Sequence, residues 1–282
     1  ARMRSTQHAP LCRSGVAGHS CATPNLENRM TLRRCFTLLL CCLQVSCIGS
    51  PTGVEPLPRT GDVLRVLFIG NSLTYVNTLP AIVEALADSA KVKPLSWKMV
   101  AYPDYNLEDH WARPEARNAI REGGWDVVVL QQGPSSTIAN RAQLIASTRL
   151  INEEIRRVGG RAGLYAVWPQ SVNLFSLEAS AESYRLAADS VDGRLFPVSL
   201  AWKAAWAREP NAPLYSDGLH ASVAGSYLAA LVIFQQLYQR SSVVGLPARL
   251  TLRLSGSPRV DLDARLAGVL QQAAQDVSAL GR

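Results

Sequence analysis

Two short polar blocks carry side chains that could act together as a nucleophile and its base. Ser72 follows an apolar run and a glycine, and Asp217 and His220 stand three positions apart near the C-terminus. A serine hydroxyl is a poor nucleophile until a base accepts its proton. His220 can be that base, and Asp217 can fix the orientation and tautomer of the imidazole. The three residues predict nucleophilic catalysis; the alternative is that Ser72 and Asp217 only cap helices while His220 lies on the surface.

The element that must position Ser72 is a strand. Six of the seven residues from 63 to 69 are apolar, which is typical of a strand buried on both faces of a parallel sheet. Gly70 allows a sharp turn after this strand, and a helix is predicted to begin just beyond it. Ligands in open α/β sheets bind beyond the carboxyl ends of the strands, so a hydroxyl placed here can meet a substrate.

The remaining sequence alternates strands with helices. Further strands are predicted near residues 95–101, 125–130, 162–168 and 195–198. Helices are predicted after the caps Asn77 and Thr78, around His110 and Trp111, and over residues 144–158, 179–191 and 221–239. This alternation predicts an α/β fold with a central parallel sheet of about five strands.

The composition is that of a globular domain with a charged extension. The chain has 282 residues, of which 48% are hydrophobic, and a formal net charge of +7. Seven arginines against two glutamates place +5 of this charge in residues 1–59, so the rest of the chain carries only +2. Such a body gives no argument for a nucleic-acid partner. All six cysteines precede residue 48, so the body has no disulfide framework, cysteine nucleophile or thiolate metal site.

The first 62 residues are predicted to lie outside the folded domain. Residues 1–29 lack periodicity and are assigned no structure, whereas residues 30–50 have the basic start and apolar stretch of a signal peptide. Residues 51–62, rich in proline and glycine, are a predicted linker. Cys47 is a candidate lipid-attachment site, with simple cleavage near Ser50 as the alternative. The protein is therefore expected to be exported, either to the periplasm or out of the cell, and to attach to a membrane only through such a lipid.

The two polar blocks resemble those of a known family. The sequence GNSLT at 70–74 is similar to the GDSL block of the SGNH hydrolases, and DGLH at 217–220 is similar to their block with Asp and His three apart. Order and spacing match over about residues 63–240, and the GxSxG elbow of a different hydrolase class is absent from the sequence. The resemblance implies that residues 63–282 form a three-layer, flavodoxin-like domain that hydrolyses an ester through an acyl-enzyme, without metal or cofactor.

The resemblance also implies an oxyanion hole, although two of its blocks depart from the family pattern. The N–H of Ser72 is one expected donor. Where the family usually supplies a glycine, the backbone N–H of Tyr105 or Asn106 is the expected second donor. Gln131 and Gln132 stand where an asparagine is usual, and the side-chain amide of either one is the candidate third donor.

Three neighbouring residues have less direct roles. Asn71 replaces the aspartate that usually precedes the nucleophile, and this change is expected to matter little because the side chain is not the nucleophile. His110 and Trp111 either line the cleft or pack inside the domain. A histidine on an apolar helix face is more often satisfied by packing.

The sequence therefore predicts an exported serine esterase. The expected substrates are small acyl esters, most simply acetyl esters, of a carbohydrate or another small molecule, and no nucleic-acid partner is expected. A lipase or thioesterase of the same fold is one alternative. A non-catalytic domain that binds a glycan or another ligand is the second, because the block around Asn106 is irregular.

The predicted domain boundary can be tested by truncation. A chain beginning at Pro51 is expected to be soluble and as stable as the full chain, because the apolar stretch at 35–45 is read as a targeting signal and not as part of a core. Circular dichroism and thermal unfolding compare the two. A truncated chain that aggregates while the full chain folds would contradict the hypothesis. A lipid would add mass that Cys47→Ala removes.

Overall fold

A five-stranded parallel sheet forms the centre of the domain. The computed structural model describes residues 61–254 and 260–281, so the predicted signal peptide, Cys47 and all but the last two linker residues lie outside the described residues. The strands are β1 (Leu64–Gly70), β2 (Leu95–Ala101), β3 (Val127–Leu130), β4 (Arg161–Tyr165) and β5 (Arg194–Phe196). Their order in the sheet is β2-β1-β3-β4-β5, with every pairing parallel. The predicted flavodoxin-like α/β fold is confirmed.

Helices connect the strands and continue after the sheet. They are α1 (Ser72–Tyr75), α2 (Leu79–Ser89), α3 (Leu107–Ala112), α4 (Pro114–Arg121), α5 (Ile138–Arg157), α6 (Leu177–Asp189), α7 (Val198–Arg208), α8 (Val223–Leu237) and α9 (Ala264–Asp276). Short 3₁₀ turns cover Val76–Thr78, Ser171–Ser176 and Ser278–Gly281, and a small antiparallel pair joins β6 (Arg249–Leu250) to β7 (Val260–Asp261). The sequence analysis missed α4, α7, α9 and the β6–β7 pair. Within residues 61–254 and 260–281, no helix is both long and apolar enough to cross a membrane.

The helices form two packed groups that flank the sheet. In one group α2 packs on α8, and α7 and α9 pack on each other and on α8. In the other group α5 packs against α3, α4 and α6. Covered on both sides, β1 has four consecutive residues, 66 to 69, that are fully buried. Burying a large aliphatic or aromatic side chain contributes about 1.5–3 kcal/mol, so this strand is a major part of the core.

The strand order fixes where a ligand can bind. The chain passes from β1 to β2 on one side and then crosses to β3 on the other side of β1. The loops after β1 and β3 therefore diverge to opposite faces of the sheet. The crevice between them, at the carboxyl ends of the strands, is the usual ligand site in such sheets. Ser72 follows β1, and Gln131 and Gln132 follow β3.

The predicted capping of α2 by Asn77 and Thr78 is wrong in detail. Thr78 occupies the cap position, but it has a left-handed φ of 52° and its side chain makes no capping hydrogen bond. Asn77 instead donates from Nδ2 to the Ala221 carbonyl and to the Ser226 hydroxyl, both at 2.9 Å. A tertiary contact has taken the place of the local cap, and it joins the segment after Ser72 to the segment after His220.

Two helical glycines offer a matched test of packing. A Cβ at Gly225 in α8 would lie 2.3 Å from the Leu214 carbonyl oxygen and 2.7 Å from the Trp202 ring, whereas a Cβ at Gly268 in α9 would meet nothing within 4 Å. Gly225→Ala is expected to lower the free energy of unfolding by about 1–3 kcal/mol because the backbone must shift.

Gly268→Ala is the control, and it is expected to raise the free energy of unfolding by about 0.5–1 kcal/mol through helix propensity alone. Urea unfolding followed by circular dichroism measures both. Equal effects of the same sign would contradict the packing described for α8.

Candidate active site

The turn after β1 leaves the N–H and the hydroxyl of Ser72 without a hydrogen-bond partner in the part of the chain that the structure describes. Asn71, not Ser72, is the cap of α1, since its Oδ1 accepts a hydrogen bond from the Leu73 N–H at 3.0 Å. Ser72 is the first residue of the helix. Neither its N–H nor its hydroxyl is hydrogen-bonded to any residue in the described part of the chain. The alternative that Ser72 only caps a helix is therefore not what this turn shows.

Asn71 is the centre of a buried network, contrary to the expectation that its side chain matters little. Its Oδ1 also accepts from Gln131 Nε2 at 2.9 Å, and its N–H donates to Gln131 Oε1 at 2.9 Å. Its Nδ2 donates to the Tyr105 carbonyl at 3.0 Å. One amide thus joins the loops that follow β1, β2 and β3. The position of Ser72 depends on this side chain because Ser72 is the next residue.

Gln131 is a structural residue of this network. It is fully buried, and Oε1 accepts from the Thr74 hydroxyl at 2.7 Å as well as from the Asn71 N–H. Its Nε2 donates to Asn71 Oδ1 and to the Gln132 carbonyl, so both of its hydrogens are used. A Cβ at Gly70 would lie 2.4 Å from Gln131 Oε1, which is why glycine is required there. Gln131 has no hydrogen left for an oxyanion.

Gln132 has the free donor that an oxyanion hole needs. Its Oε1 accepts from the Leu107 N–H at 3.0 Å, which fixes the orientation of the amide. One Nε2 hydrogen is directed to the Ser135 hydroxyl at 2.8 Å, and the second has no acceptor among the described residues. Gln132 also lines the same cleft as Ser72. Of the two glutamines, Gln132 is therefore the stronger candidate.

The loop after β2 supplies the expected second donor less clearly. The Asn106 N–H donates to Asp109 Oδ2 at 2.9 Å, while Asn106 Oδ1 accepts from the Asp109 N–H, so the two residues form a capping box for α3. The Asn106 N–H thus already has an acceptor, contrary to the expectation for it. The Tyr105 N–H makes only a long bond of 3.4 Å to the Tyr102 carbonyl. Tyr105 is the better placed of the two candidates.

His110 packs inside the domain. It is 1% exposed, and its Nε2 lies 2.8 Å from the Gly70 carbonyl oxygen. A carbonyl only accepts, so Nε2 carries the proton. Burial lowers the pKa of His110, which keeps the ring neutral near neutral pH. Of the two alternatives for this residue, packing is the one observed, and His110 supports the turn that carries Ser72. Trp111 is half-buried and packs against the core.

Asp217 and His220 form a hydrogen-bonded pair on the loop before α8. Asp217 Oδ2 lies 2.7 Å from His220 Nδ1, and Oδ1 accepts from the backbone N–H groups of Leu219 and His220. The bond to His220, together with these two N–H groups, lowers the pKa of Asp217 to about 2. The carboxylate is therefore ionised at neutral pH and must accept the Nδ1 proton. Nε2 of His220 is left with a lone pair that can accept a proton from a serine.

Several contacts hold this loop beside the strand ends. The Trp168 indole donates to the Leu219 carbonyl at 2.9 Å, and the Ser171 N–H donates to the Gly218 carbonyl at 2.8 Å. Gly218 has a φ of +84°, which glycine adopts readily. The Ala221 carbonyl receives the bond from Asn77 already described. The loop is thus tied both to the segment after β4 and to the segment after Ser72.

A cleft of about 480 Å³ contains some of the predicted site residues, while Asp217 and His220 do not line it. Ser72, Asn106, Gln132 and Leu219, the residue before His220, all line it. No hydrogen bond joins Ser72 to His220 within the described residues. Catalytic hydrogen bonds are often long before substrate binds, so the arrangement remains compatible with a serine, its base and an orienting carboxylate. No group of three or more potential metal ligands occurs in the described ranges.

Comparisons with known proteins agree with this geometry. No family model matches the chain, and no curated protein matches it at a significant level. Among solved structures, a protein from Slackia heliotrinireducens, provisionally classed as an SGNH hydrolase, is 27% identical with a TM-score of 0.51; the match covers 61% of this chain and 98% of that one. The chain belongs to the SGNH hydrolase superfamily. Membership makes it a hydrolase by resemblance to this neighbour.

More distant SGNH hydrolases share its fold. A lipase/acylhydrolase from Enterococcus faecalis is 14% identical with a TM-score of 0.52, and the match covers 68% of this chain and 100% of that one. A catalytic mutant of an acetylxylan esterase from Geobacillus stearothermophilus is 15% identical with a TM-score of 0.51, over 64% of this chain and 96% of that one. At these identities the likeness concerns the fold alone.

Alanine substitutions of the two glutamines test the division of roles in this SGNH hydrolase. Gln132→Ala is expected to lower kcat about 100- to 1,000-fold, the usual effect of losing one oxyanion-hole donor. Gln131→Ala is expected mainly to lower stability, by about 2–4 kcal/mol, because it leaves several buried polar groups unpaired. Steady-state kinetics and urea unfolding of both variants separate the effects. A large loss of kcat confined to Gln131→Ala would reverse the assignment.

Proposed function

We propose that this SGNH hydrolase removes small acyl groups, most simply acetyl groups, from hydroxylated substrates such as carbohydrates. Ser72 attacks the ester carbonyl, and His220 accepts the hydroxyl proton and returns it to the leaving alcohol. Asp217 keeps the imidazole in the tautomer that can accept. The single observation that carries the proposal is the bond between Asp217 and His220 Nδ1, which leaves Nε2 available on the residue that follows Leu219, a lining residue of the Ser72 cleft.

The developing negative charge needs donors that are already aligned. The unpaired N–H of Ser72 and the second Nε2 hydrogen of Gln132 are the two proposed donors, with the Tyr105 N–H as a third. All three come from loops joined by Asn71, directly or through Gln131. Donors that need not reorganise during the reaction are the most effective stabilisers of an oxyanion.

The lining of the cleft favours a hydroxylated alcohol over a long acyl chain. Several amide side chains and one carboxylate, that of Asp104, line the cleft. These amides belong to Asn106, Asn140, Gln143 and Gln170. Amides both donate and accept, which suits sugar hydroxyls. No lysine or arginine lines this cleft in the described part of the chain, so an anionic substrate is not favoured.

One surface feature favours the lipase alternative. Val172 and Phe175 are 79% and 84% exposed, in the turn that begins at Ser171 and follows the cleft residue Gln170. Exposed apolar side chains beside an active site can receive an acyl chain or a lipid surface. Longer-chain esters are therefore the second candidate substrates. We also propose export for this protein, on the signal-like residues 30–50 of the sequence.

Hydrolysis of p-nitrophenyl esters of increasing chain length tests the proposal. The proposed function predicts high kcat/KM for the acetate and a steep fall for the octanoate, and the lipase alternative predicts the reverse. Phe175→Ala should leave the acetate rate unchanged in either case. A protein that binds glycans but turns over none of these esters would be the non-catalytic alternative.

Substitutions of the three proposed catalytic residues test the mechanism. Ser72→Ala and His220→Ala are each expected to lower kcat on the order of 10⁴- to 10⁶-fold, and the double variant should be scarcely worse, because groups acting as a unit are not additive. Asp217→Ala should be milder, since the imidazole remains. Pre-steady-state bursts of p-nitrophenol would report the acyl-enzyme. Near-normal turnover by His220→Ala would exclude this residue as the base.

A further inference from the structure

A second cavity lies at the opposite edge of the sheet from Ser72. It has a volume of about 510 Å³, within the range of small-molecule sites. Arg161 and Arg194, the first residues of β4 and β5, line it from the amino ends of those strands. The end of α8 and the 3₁₀ turn Ser278–Gly281 complete the wall, and no carboxylate lines it among the described residues. We call it the arginine cavity.

Three guanidinium groups give this cavity a positive field. Arg194 is half-buried and donates to the Gln236 carbonyl at the end of α8. Burial, and next the charge of Arg161, lower the pKa of Arg194, which means that its positive charge is under-compensated. Arg240 makes no ion pair with a described residue. The only carboxylate near Arg161 among the described residues is the exposed one of Asp192, at 3.8 Å, and Arg161 Nε also donates to the Asp192 backbone carbonyl at 3.4 Å.

The cavity wall also contains a buried acceptor that lacks a donor. Gln235 is 2% exposed, and its Oε1 has no hydrogen-bond partner. The amide cannot simply be turned over, because Gln235 Nε2 donates to Gln275 Oε1 at 3.1 Å. Gln275 is itself fixed, since its Nε2 donates to the Ser241 carbonyl and its Oε1 accepts from the Val243 N–H. A buried acceptor left in this state costs free energy that a ligand hydroxyl would recover.

We propose that the arginine cavity binds a small oxyanion that also carries a hydroxyl group, such as a phosphate monoester or a hydroxy acid. The guanidinium groups of Arg161, Arg194 and Arg240 meet the anionic oxygens, which they suit by charge and by geometry. The hydroxyl donates to Gln235 Oε1. This site is separate from the ester-cleaving cleft, so its occupancy does not depend on the proposed function.

Titration calorimetry with three probes tests the two parts of the proposal. At neutral pH phosphate keeps an O–H donor and sulfate has none, although their size and charge are similar. Phosphate or glucuronate is expected to bind saturably and about fivefold or more tighter than sulfate, and the tighter of the two identifies the natural class as phosphate ester or hydroxy acid. Sulfate that binds as tightly as both would overturn the role of Gln235.

A matched pair of double variants tests the arginines. Arg161→Gln with Arg240→Gln is expected to weaken binding at least tenfold, because two of the three charges are removed. Arg149→Gln with Arg249→Gln is the control, because neither residue lines the cavity and the same charge is removed. Each double variant removes one arginine that forms an ion pair, Arg161 or Arg249, and one that forms none with a described residue. Equal weakening by both would indicate non-specific charge attraction. Absence of binding by all three probes would mean that water alone satisfies Gln235. Equal weakening by both double variants, or absence of binding by every probe, would overturn the proposal.

Discussion

The reciprocal hydrogen bonding between Asn71 and Gln131 holds the candidate active site together. The Asn71 N–H donates to Gln131 Oε1, and Gln131 Nε2 donates to Asn71 Oδ1, across the carboxyl ends of β1 and β3. Each such bond contributes only about 1 kcal/mol net, but a buried group that loses its partner costs about 1–3 kcal/mol. The net free energy of these hydrogen bonds therefore stabilises the network less than the cost of leaving their buried groups unpaired in any other arrangement. The loops after β1 and β3 diverge at this point, and these two amides hold the crevice between the loops that a ligand needs.

The two halves of the proposed mechanism are supported differently. Ser72 is buried directly beside the network of Asn71 and Gln131, and Gln132 belongs to it, whereas Asp217 is exposed and His220 is partly exposed on a loop. This loop is held by hydrogen bonds that Trp168, Ser171 and Asn77 donate to its backbone carbonyls, and not by packing of the imidazole. The proposed oxyanion donor Gln132 is thus held by buried hydrogen bonds, whereas the proposed base lies on a more exposed loop.

The sequence was sufficient to predict the α/β fold, and physical reasons explain which elements and contacts it missed. Strands buried on both faces are almost entirely apolar, as β1 and β3 are, so their positions could be predicted directly from the sequence. The glycines Gly70 and Gly218 marked the two blocks, because glycine tolerates close contacts and backbone conformations that other residues rarely adopt. The helices α7 and α9 were harder to predict from the sequence. Both lie beyond β5, the last strand of the central sheet, so no alternation with strands of that sheet marks them. Asn77 was misread because its amide bonds to a loop some 140 residues away in the chain, which no local pattern reports.

Two departures from the family pattern explain each other in the structure. An aspartate at position 71 could still accept from Leu73 and Gln131, but it could not donate to the Tyr105 carbonyl as Asn71 does. A glutamine at position 131, one methylene longer than the usual asparagine, reaches back to both the N–H and the side chain of Asn71. Both hydrogens of its amide are used in the network, whereas Gln132 keeps the Nε2 hydrogen proposed above as an oxyanion donor. The irregular loop after β2 accounts for the amide at position 71, because its Tyr105 carbonyl accepts the hydrogen bond that Asn71 Nδ2 donates.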